Sequence, residues 1–232
     1  GEPTLHSGIG DVIEKIKAMS NIPVAVVTNG SLQYLPEVRE TLMCADLVLP
    51  SLDVGDEQLF QYVNRPHGAL SFDQMVKGLI DFSRHFTGQI WLEVLLLGGV
   101  TGIQSEVEKI ASIANLIHPA KVQLNTVYRP PVEENAFPLT VEQLTALKNI
   151  FPLEVDIIGN LHHDETPVPE ICEVTVDDIL ALLARRPCTI VDIASGLGMH
   201  VSEVIKRMEK LVKADEVNFI MTRKRNYYTK RY

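Results

Sequence analysis

Residues 90–100 have the sequence IWLEVLLLGGV, an apolar run that only Glu93 interrupts and that a pair of glycines closes. A membrane-spanning helix needs about 20 apolar residues, so this run is too short to cross a bilayer. A strand of a parallel sheet is buried on both faces and is therefore apolar at nearly every position. We predict a buried strand at residues 90–97.

Similar apolar runs recur on both sides of this strand, and segments with helical periodicity separate them. The predicted strands are residues 24–28, 47–52, 90–97, 122–127 and 155–158. The predicted helices are residues 9–19, 36–44, 71–86, 104–117 and 140–151. Strands that alternate with helices form βαβ units, in which the helices cover a parallel sheet. The predicted fold class is therefore α/β.

This pattern ends after residue 158, where the polar stretch GNLHHDETPVPE has two prolines and no periodicity. We place a first domain at residues 1–162, a linker at 163–173 and a second domain at 174–232. Residues 171–232 hold 11 Lys and Arg against 8 Asp and Glu, so residues 1–170 carry −12 while the whole chain carries −9. An acidic domain binds the phosphate backbone of nucleic acids poorly, because like charges repel. We therefore expect any nucleic-acid contact to be made by the basic second domain.

The second domain has the pattern of a winged helix-turn-helix: helices at 176–185, 190–197 and 201–213, followed by alternating runs at 216–222 and 226–232. The stretch DIASGLGMHVSEV spans the second and third helices. We expect Ala194 to allow close helix packing, Gly196 and Gly198 to form the turn, and Val201, Val204 and Ile205 to face inward.

Polar side chains recur at successive strands of the first domain. They are Glu2, Asn29, Ser51, Asp53, Glu93, Gln123 and Asn125. In parallel α/β sheets the carboxyl ends of the strands face the ligand, and an unpaired buried polar group is costly. Any one of these residues is equally well explained as a satisfied polar group of the core. The set together predicts a ligand site, and we expect Glu2, Asn29, Ser51, Asp53 and Asn125 to line one cavity.

Other motifs are absent or weak. The sequence has no P-loop, GxGxxG or GxSxG pattern, which leaves nucleotide-phosphate and acyl-transfer chemistry unsupported. His162, His163, Asp164 and Glu165 are metal-ligand types, but adjacent side chains rarely converge on one ion, so we predict no metal site there. The three cysteines form no CxxC pair and no targeting signal is visible, which favours a reducing, cytoplasmic location without a membrane anchor.

The motifs of residues 1–160 together resemble one branch of the radical S-adenosylmethionine (SAM) superfamily. They are GEPTLH, VVTNGSL, PSLDVGDE with YVNRPH, LEVLLLGGV and VQLNTVYRPP. The branch is similar in its core to molybdenum-cofactor and wyosine-synthesis enzymes and to glycyl-radical activases. The resemblance implies a partial βα barrel of the TIM type, an enzyme of the oxidoreductase kind and SAM as cofactor.

The resemblance also assigns residues. Gly1 and Glu2 match the glycine-glycine-glutamate element that receives the SAM amino group. Asn29, Ser51 and Asp53 match strand ends that face the SAM methionine and ribose, and Gln123 and Asn125 lie on the strand that closes around the adenosyl group. Glu93 is a weaker match. Arg65 and His67, in a polar loop, are the candidates for contact with an anionic substrate, and a solvated loop explains them equally well.

One departure from this family is decisive. Radical SAM enzymes hold a 4Fe–4S cluster on a CxxxCxxC loop, because soft thiolates at close spacing bind the irons. No such loop exists here, and Cys44, Cys172 and Cys188 lie in three separate contexts. We expect no cluster in this chain, whereas a complete enzyme would have one. Its substrate is unidentified, and the resemblance to wyosine-synthesis enzymes implies a tRNA nucleoside as one candidate. The missing first strand would leave a sheet edge open to dimerisation.

Two other functions compete with this one. The chain could be a winged-helix regulator whose barrel senses a small molecule, with Ser202, Glu203, Lys206 and Arg207 reading nucleic acid and Arg223, Lys224 and Arg225 contacting phosphates. Alternatively, the second domain has a purely structural or protein-binding role. The modest net charge and the acidic Glu203 favour weak or absent DNA binding.

Overall fold

The computed structural model describes residues 1–127, 136–158, 174–222 and 225–231, which divide into two compact units. The first unit contains the described residues up to 158, and the second contains those from 174 onward. The predicted linker at 163–173, the paired histidines 162 and 163, Cys172 and the basic residues Arg223 and Lys224 lie outside the described residues.

The first unit is built on a five-stranded parallel sheet with the strand order β1-β2-β3-β4-β5. The strands are β1 (Ala25–Thr28), β2 (Leu47–Pro50), β3 (Gln89–Leu96), β4 (Lys121–Thr126) and β5 (Val155–Ile157). All five lie within two residues of the predicted bounds, which confirms the α/β class. Each strand pairs with the next strand in the chain, as expected for successive βα units of a partial barrel.

Helices connect these strands. They are α1 (Ile9–Met19), α2 (Pro36–Leu42), the short α3 (Glu57–Leu59), α4 (Phe72–His85), α5 (Gln104–Ile117) and α6 (Val141–Lys148). Capping boxes at Ser71 and Thr140 start α4 and α6. Three elements escaped prediction: a 3₁₀ turn at Pro3–Leu5, the short α3 and a π-helical segment at Phe60–Asn64.

The two faces of the sheet differ. Along β3, Ile90, Leu92, Val94 and Leu96 are buried and belong to the core beneath the helices, while the alternate residues are partly exposed. The buried residues of β3 pack against the helices, and the alternate residues lie on the inner face of the sheet. Strand β1 is the edge of the sheet, and apolar side chains near it are exposed: Val27 to 58% and Ile22 to 73%.

The second unit contains α7 (Val176–Arg185), α8 (Ile190–Leu197), α9 (Val201–Lys213) and an antiparallel hairpin of β6 (Val217–Thr222) and β7 (Arg225–Lys230). Cys188 forms an isolated antiparallel bridge to Tyr228 on β7. Ile179, Leu183, Ile193, Val204 and Met208 form its buried centre.

Three expectations about this unit need correction. Gly196 lies within α8, and only Gly198, with φ of 64°, forms the turn. Val204 is fully buried, whereas Val201 and Ile205 are 41% and 42% exposed. The buried face of α9 contains residues 204 and 208, which are one helical turn apart. Residues 201 and 205 lie beside this face, on the surface. No helix among the described residues is both long enough and apolar enough to cross a membrane.

Candidate functional site

A cavity of about 530 Å³ lies at the carboxyl ends of β1 and β2. Six of the predicted site residues line it: Glu2, Asn29, Ser51, Asp53, Arg65 and His67. Its apolar wall includes Leu5, Leu32, Phe60, Leu70 and Met75. A concave site with an apolar body and a few polar groups is typical of small-molecule binding.

Glu2 lies at the start of this site, as the N-cap of the 3₁₀ turn. Its Oε1 accepts hydrogen bonds from the hydroxyls of Thr28 and Thr4, each at 2.6 Å, and from the Thr4 backbone N–H at 3.1 Å. Its Oε2 accepts one from the backbone N–H of Asn29 at 2.7 Å. Burial raises the pKa of Glu2, but the hydrogen bonds outweigh it and the pKa lies below its ordinary value. Glu2 is therefore held as a carboxylate.

The turn after β1 places Asn29 at the cavity. Gly30 has φ of 72°, a conformation that glycine adopts without steric cost, and its N–H donates to the Thr28 hydroxyl at 3.1 Å. The side-chain oxygen of Asn29 accepts from the backbone N–H of Ser31 at 2.9 Å. The same threonine hydroxyl thus joins the turn to Glu2.

Asp53 follows β2 and is held from two sides. Its Oδ1 accepts from the Leu95 backbone N–H at 2.9 Å, and its Oδ2 accepts from the Asn64 amide at 3.0 Å. Burial raises the pKa of Asp53 above its ordinary value, and the negative charge of Glu93 raises it further. The two hydrogen bonds lower the pKa but do not offset this rise. A raised pKa beside a second carboxylate is typical of functional sites.

The chain between Asp56 and Leu70 forms the opposite wall, and we call it the 56–70 segment. Asp56 caps α3, the π-helical residues 60–64 follow, and Arg65 ends them in the left-handed region with φ of 48°. The ring nitrogen Nδ1 of His67 accepts from the Ala69 backbone N–H at 3.2 Å. π-helical turns and left-handed non-glycine residues both concentrate at functional sites.

The other predicted residues do not line this cavity. Gly1 is exposed at the start of the chain. Gln123 and Asn125 lie on the inner face of β4, where Gln123 is opposite Glu93 in register and Asn125 lies 3.5 Å from the Glu93 carboxylate. Ser51 forms an isolated parallel β-bridge with Glu93 from the side of β2. The polar residues therefore form a row that crosses the strands of the sheet. Two strands, β2 and β3, lie between β4 and β1, which explains why the polar residues of β4 do not reach the turn at Asn29.

Sequence reasoning missed several polar groups of the site, and two of these bond its acidic residues. Thr28 is the last residue of β1 and bonds Glu2, and Asn64 fixes Asp53. Thr28 had a sequence signal, since it is a polar residue at the end of an apolar strand. Asn64 is separated from Asp53 by 11 positions, and only the folded 56–70 segment brings the two together.

The two thiols that the structure describes offer no cluster site. Cys44 is partly buried beyond α2 with its Sγ 3.2 Å from the Thr41 carbonyl oxygen, and burial raises its pKa. Cys188 is fully buried in the second unit. Within the described ranges, no group of three or more His, Cys, Asp or Glu is placed to hold a metal ion.

Known proteins are similar to the chain in sequence and in fold. No protein-family model matches it. A protein named GTPase Obg from Brachyspira hyodysenteriae is 37% identical over 94% of this chain and 32% of its own length. A UPF0026 protein of Methanocaldococcus jannaschii is 31% identical over 81% of this chain and 59% of its own length. The chain thus spans about a third to three fifths of these relatives.

Among solved structures, a domain of pyruvate-formate lyase-activating enzyme from Bacteroides vulgatus aligns with a TM-score of 0.56. The alignment covers 68% of this chain and 95% of that domain at 20% identity. At this identity the likeness establishes a shared fold. It agrees with a partial βα barrel.

Proposed function

We propose that this chain is the SAM-binding part of a radical SAM iron–sulfur enzyme of the oxidoreductase kind. The observation that carries the proposal is the gathering of Glu2, Asn29, Ser51 and Asp53 around one cavity. These are four of the positions that the family resemblance assigns to SAM. The fold shared with an activating-enzyme domain supports it, since activases are among the enzymes that the sequence resembles.

The side chains around the cavity fit SAM chemically. Glu2 is held ionised, and its Oε1 already has three donors while Oε2 has one, so Oε2 has a lone pair left for an ammonium group. Asp53 and Asn29 supply acceptors and donors for hydroxyl groups. The apolar wall from Leu32 to Met75 would cover the sulfonium and adenosyl parts and exclude water.

The iron–sulfur cluster does not fit the residues of this chain, since the sequence has no CxxxCxxC loop. In the proposed enzyme, a cluster held by residues other than those of this chain would supply the one-electron chemistry. The residues described here would bind SAM and position it. Preceding βα units would cover the open edge of β1, where Val27 is exposed. A second copy of the chain is the other candidate cover.

The first test is anaerobic reconstitution with iron and sulfide, on this chain and on a version extended upstream of Gly1 with a CxxxCxxC loop. We expect iron uptake, cluster absorbance and 5′-deoxyadenosine only in the extended version. Glu2→Gln in that version should weaken SAM binding, and Glu40→Gln, an exposed glutamate on α2, should not. Cluster assembly and SAM cleavage by the chain as it stands would contradict the proposal.

For the second unit we propose a winged helix. Three helices, the hairpin and the Cys188–Tyr228 bridge are the elements that support it. A tRNA nucleoside as substrate and RNA binding by this unit extend the proposal. A GTPase activity has no support in this chain despite the Brachyspira name, because the sequence lacks a P-loop.

A further inference from the structure

A second concave surface lies within the second unit, between helix α9 and the β6–β7 hairpin. It has a volume of about 330 Å³, and we call it the α9 groove. Its apolar walls come from Ile205, Met208 and Val212 on α9 and from Phe219 and Tyr228 on the hairpin. The groove therefore fits an apolar surface of a partner.

Packing within the unit forms this groove before any partner binds. The rings of Phe219 and Tyr228 are tilted by 60° with their centroids 5.7 Å apart. Tyr228 also exchanges backbone hydrogen bonds of 2.8 and 3.0 Å with Cys188. On the α9 side, Met208 is buried in the core of the unit. A preformed groove loses little conformational entropy on binding.

Apolar side chains of the groove remain exposed in the single chain. Ile205 is 42% exposed, Val212 is 43% exposed and Phe219 is 51% exposed. All three line the same groove, so the exposed apolar surface is shared rather than scattered. An apolar patch of this kind beside charged residues is typical of a surface that contacts another protein.

The charged residues of the groove have opposite signs. Glu209 and Lys213 both line it, four positions apart on α9. Glu203 and Arg207 form an ion pair at the same spacing on this helix, whereas Glu209 and Lys213 pair neither with each other nor with another described residue. An exposed pair within one helix contributes little, so both charges are available to a partner.

We infer that the α9 groove is the contact surface between two copies of this chain, related by a two-fold axis that crosses α9 between Glu209 and Lys213. In a two-fold interface each contact occurs twice, because both copies present the same surface. Glu209 of each copy therefore pairs with Lys213 of the partner subunit, and the exposed apolar walls cover each other. This self-complementarity of charge is the reason to assign the groove to a second copy.

The charge of the whole chain agrees with a contact at this unit. Residues 171–232 carry +3, from 11 Lys and Arg against 8 Asp and Glu, so residues 1–170 carry −12 of the total of −9. Two acidic first units repel each other, whereas the second units do so far less. The inference is independent of SAM binding and goes beyond the proposed function.

Sedimentation equilibrium of this chain over a range of concentrations tests the contact. We expect a reversible equilibrium between monomer and dimer. Glu209→Lys replaces two attractions by two repulsions and should raise the dissociation constant of the dimer about ten-fold or more. Lys213→Glu should have the same effect. An equimolar mixture of the two variants restores complementary charges, and we expect it to associate at least as tightly as the wild type.

Two further variants serve as controls. Glu40→Lys, at an exposed position of α2, makes the same change of net charge as Glu209→Lys and should leave the dissociation constant unchanged. Val27→Lys alters the open edge of β1, and we expect it to leave the dimer intact. A dimer that Val27→Lys dissociates and Glu209→Lys does not would overturn the inference. So would monomers at every concentration, or a mixture of the charge variants that associates no better than either variant alone.

Discussion

The hydroxyl of Thr28 donates a hydrogen bond of 2.6 Å to the carboxylate of Glu2, across 26 positions of the chain. The same hydroxyl accepts from the N–H of Gly30, and Thr28 is 3% exposed. One buried side chain therefore joins the end of β1, the turn that carries Asn29 and the acidic residue at the cavity.

Replacing this residue tests that arrangement. Thr28→Val keeps the shape of the side chain but leaves Glu2 without one donor and the Gly30 N–H without its acceptor. We expect the free energy of unfolding to fall by about 1–3 kcal/mol. Urea denaturation measures the change. Thr145→Val provides the matched control, since Thr145 is exposed on α6 and its hydroxyl bonds only the Val141 carbonyl. An equal loss in both variants would contradict the role of Thr28.

The lowered pKa of Glu2 predicts a pH dependence. A carboxyl group with a depressed pKa in the folded state stabilises the protein above its unfolded pKa, about 4.3, and loses that contribution as the pH falls through the folded value. Glu2→Gln places an amide against the Asn29 N–H and should be less stable than the wild type at pH 7. The difference in free energy of unfolding between the two proteins should narrow as the pH falls from about 5 to about 3. Urea denaturation measures it, and a difference that stays constant over this range would exclude the ionised carboxylate as its source.

The first unit was predictable because short apolar runs alternate with amphipathic helices, although only one face of β3 is fully buried. The run at residues 90–97 differs from strand β3 by one residue at each end. The π-helical segment was not predictable, since apolar residues at Phe60 and Val63 fit several helical periods and five residues are too few to distinguish them. The clearest local signal nearby was Asp56, which is the N-cap of the preceding α3.

The site was predictable only in part, for a topological reason. Residues at the ends of parallel strands point toward the same side, but the sequence does not say which strands share one cavity. Asn29 and Asp53 follow neighbouring strands and meet there, whereas Asn125 is on β4 and bonds Glu93. Burial on α9 was ambiguous for a similar reason, because Val201 and Val204 are both apolar and only packing distinguishes them.

The second unit should bind nucleic acid weakly and without sequence preference. Arg207 bonds Glu203 and the Val174 carbonyl, and Val201 and Ile205 occupy exposed positions of α9 where a reading helix would carry polar groups. Fluorescence anisotropy with duplex DNA at several salt concentrations measures this. Lys206→Ala should reduce the slope of log affinity against log salt by about one, and Lys77→Ala, on α4, should not. Tight, sequence-selective binding at physiological salt would favour the regulator.

The left-handed residue that ends α5 should gain stability from glycine. His118 has φ of 52°, and His118→Gly relieves this conformation and should raise the free energy of unfolding by roughly 0.5–1 kcal/mol. Thermal denaturation measures the change. A less stable His118→Gly variant would contradict this prediction.

Two valines of α9 test which face of this helix is buried in the second unit. Val204 is fully buried beside Met208, whereas Val201, in the first turn of the same helix, is 41% exposed. Val204→Ala removes two methyl groups from a packed core and should cost about 2 kcal/mol, from lost transfer energy and the cavity left behind. Val201→Ala makes the same chemical change at the surface and should stay within about 0.5 kcal/mol of the wild type. The unfolding transition of the second unit, followed by NMR on its own amides, separates this effect from the first unit. Equal costs would mean that both valines face inward, as the sequence pattern alone predicts.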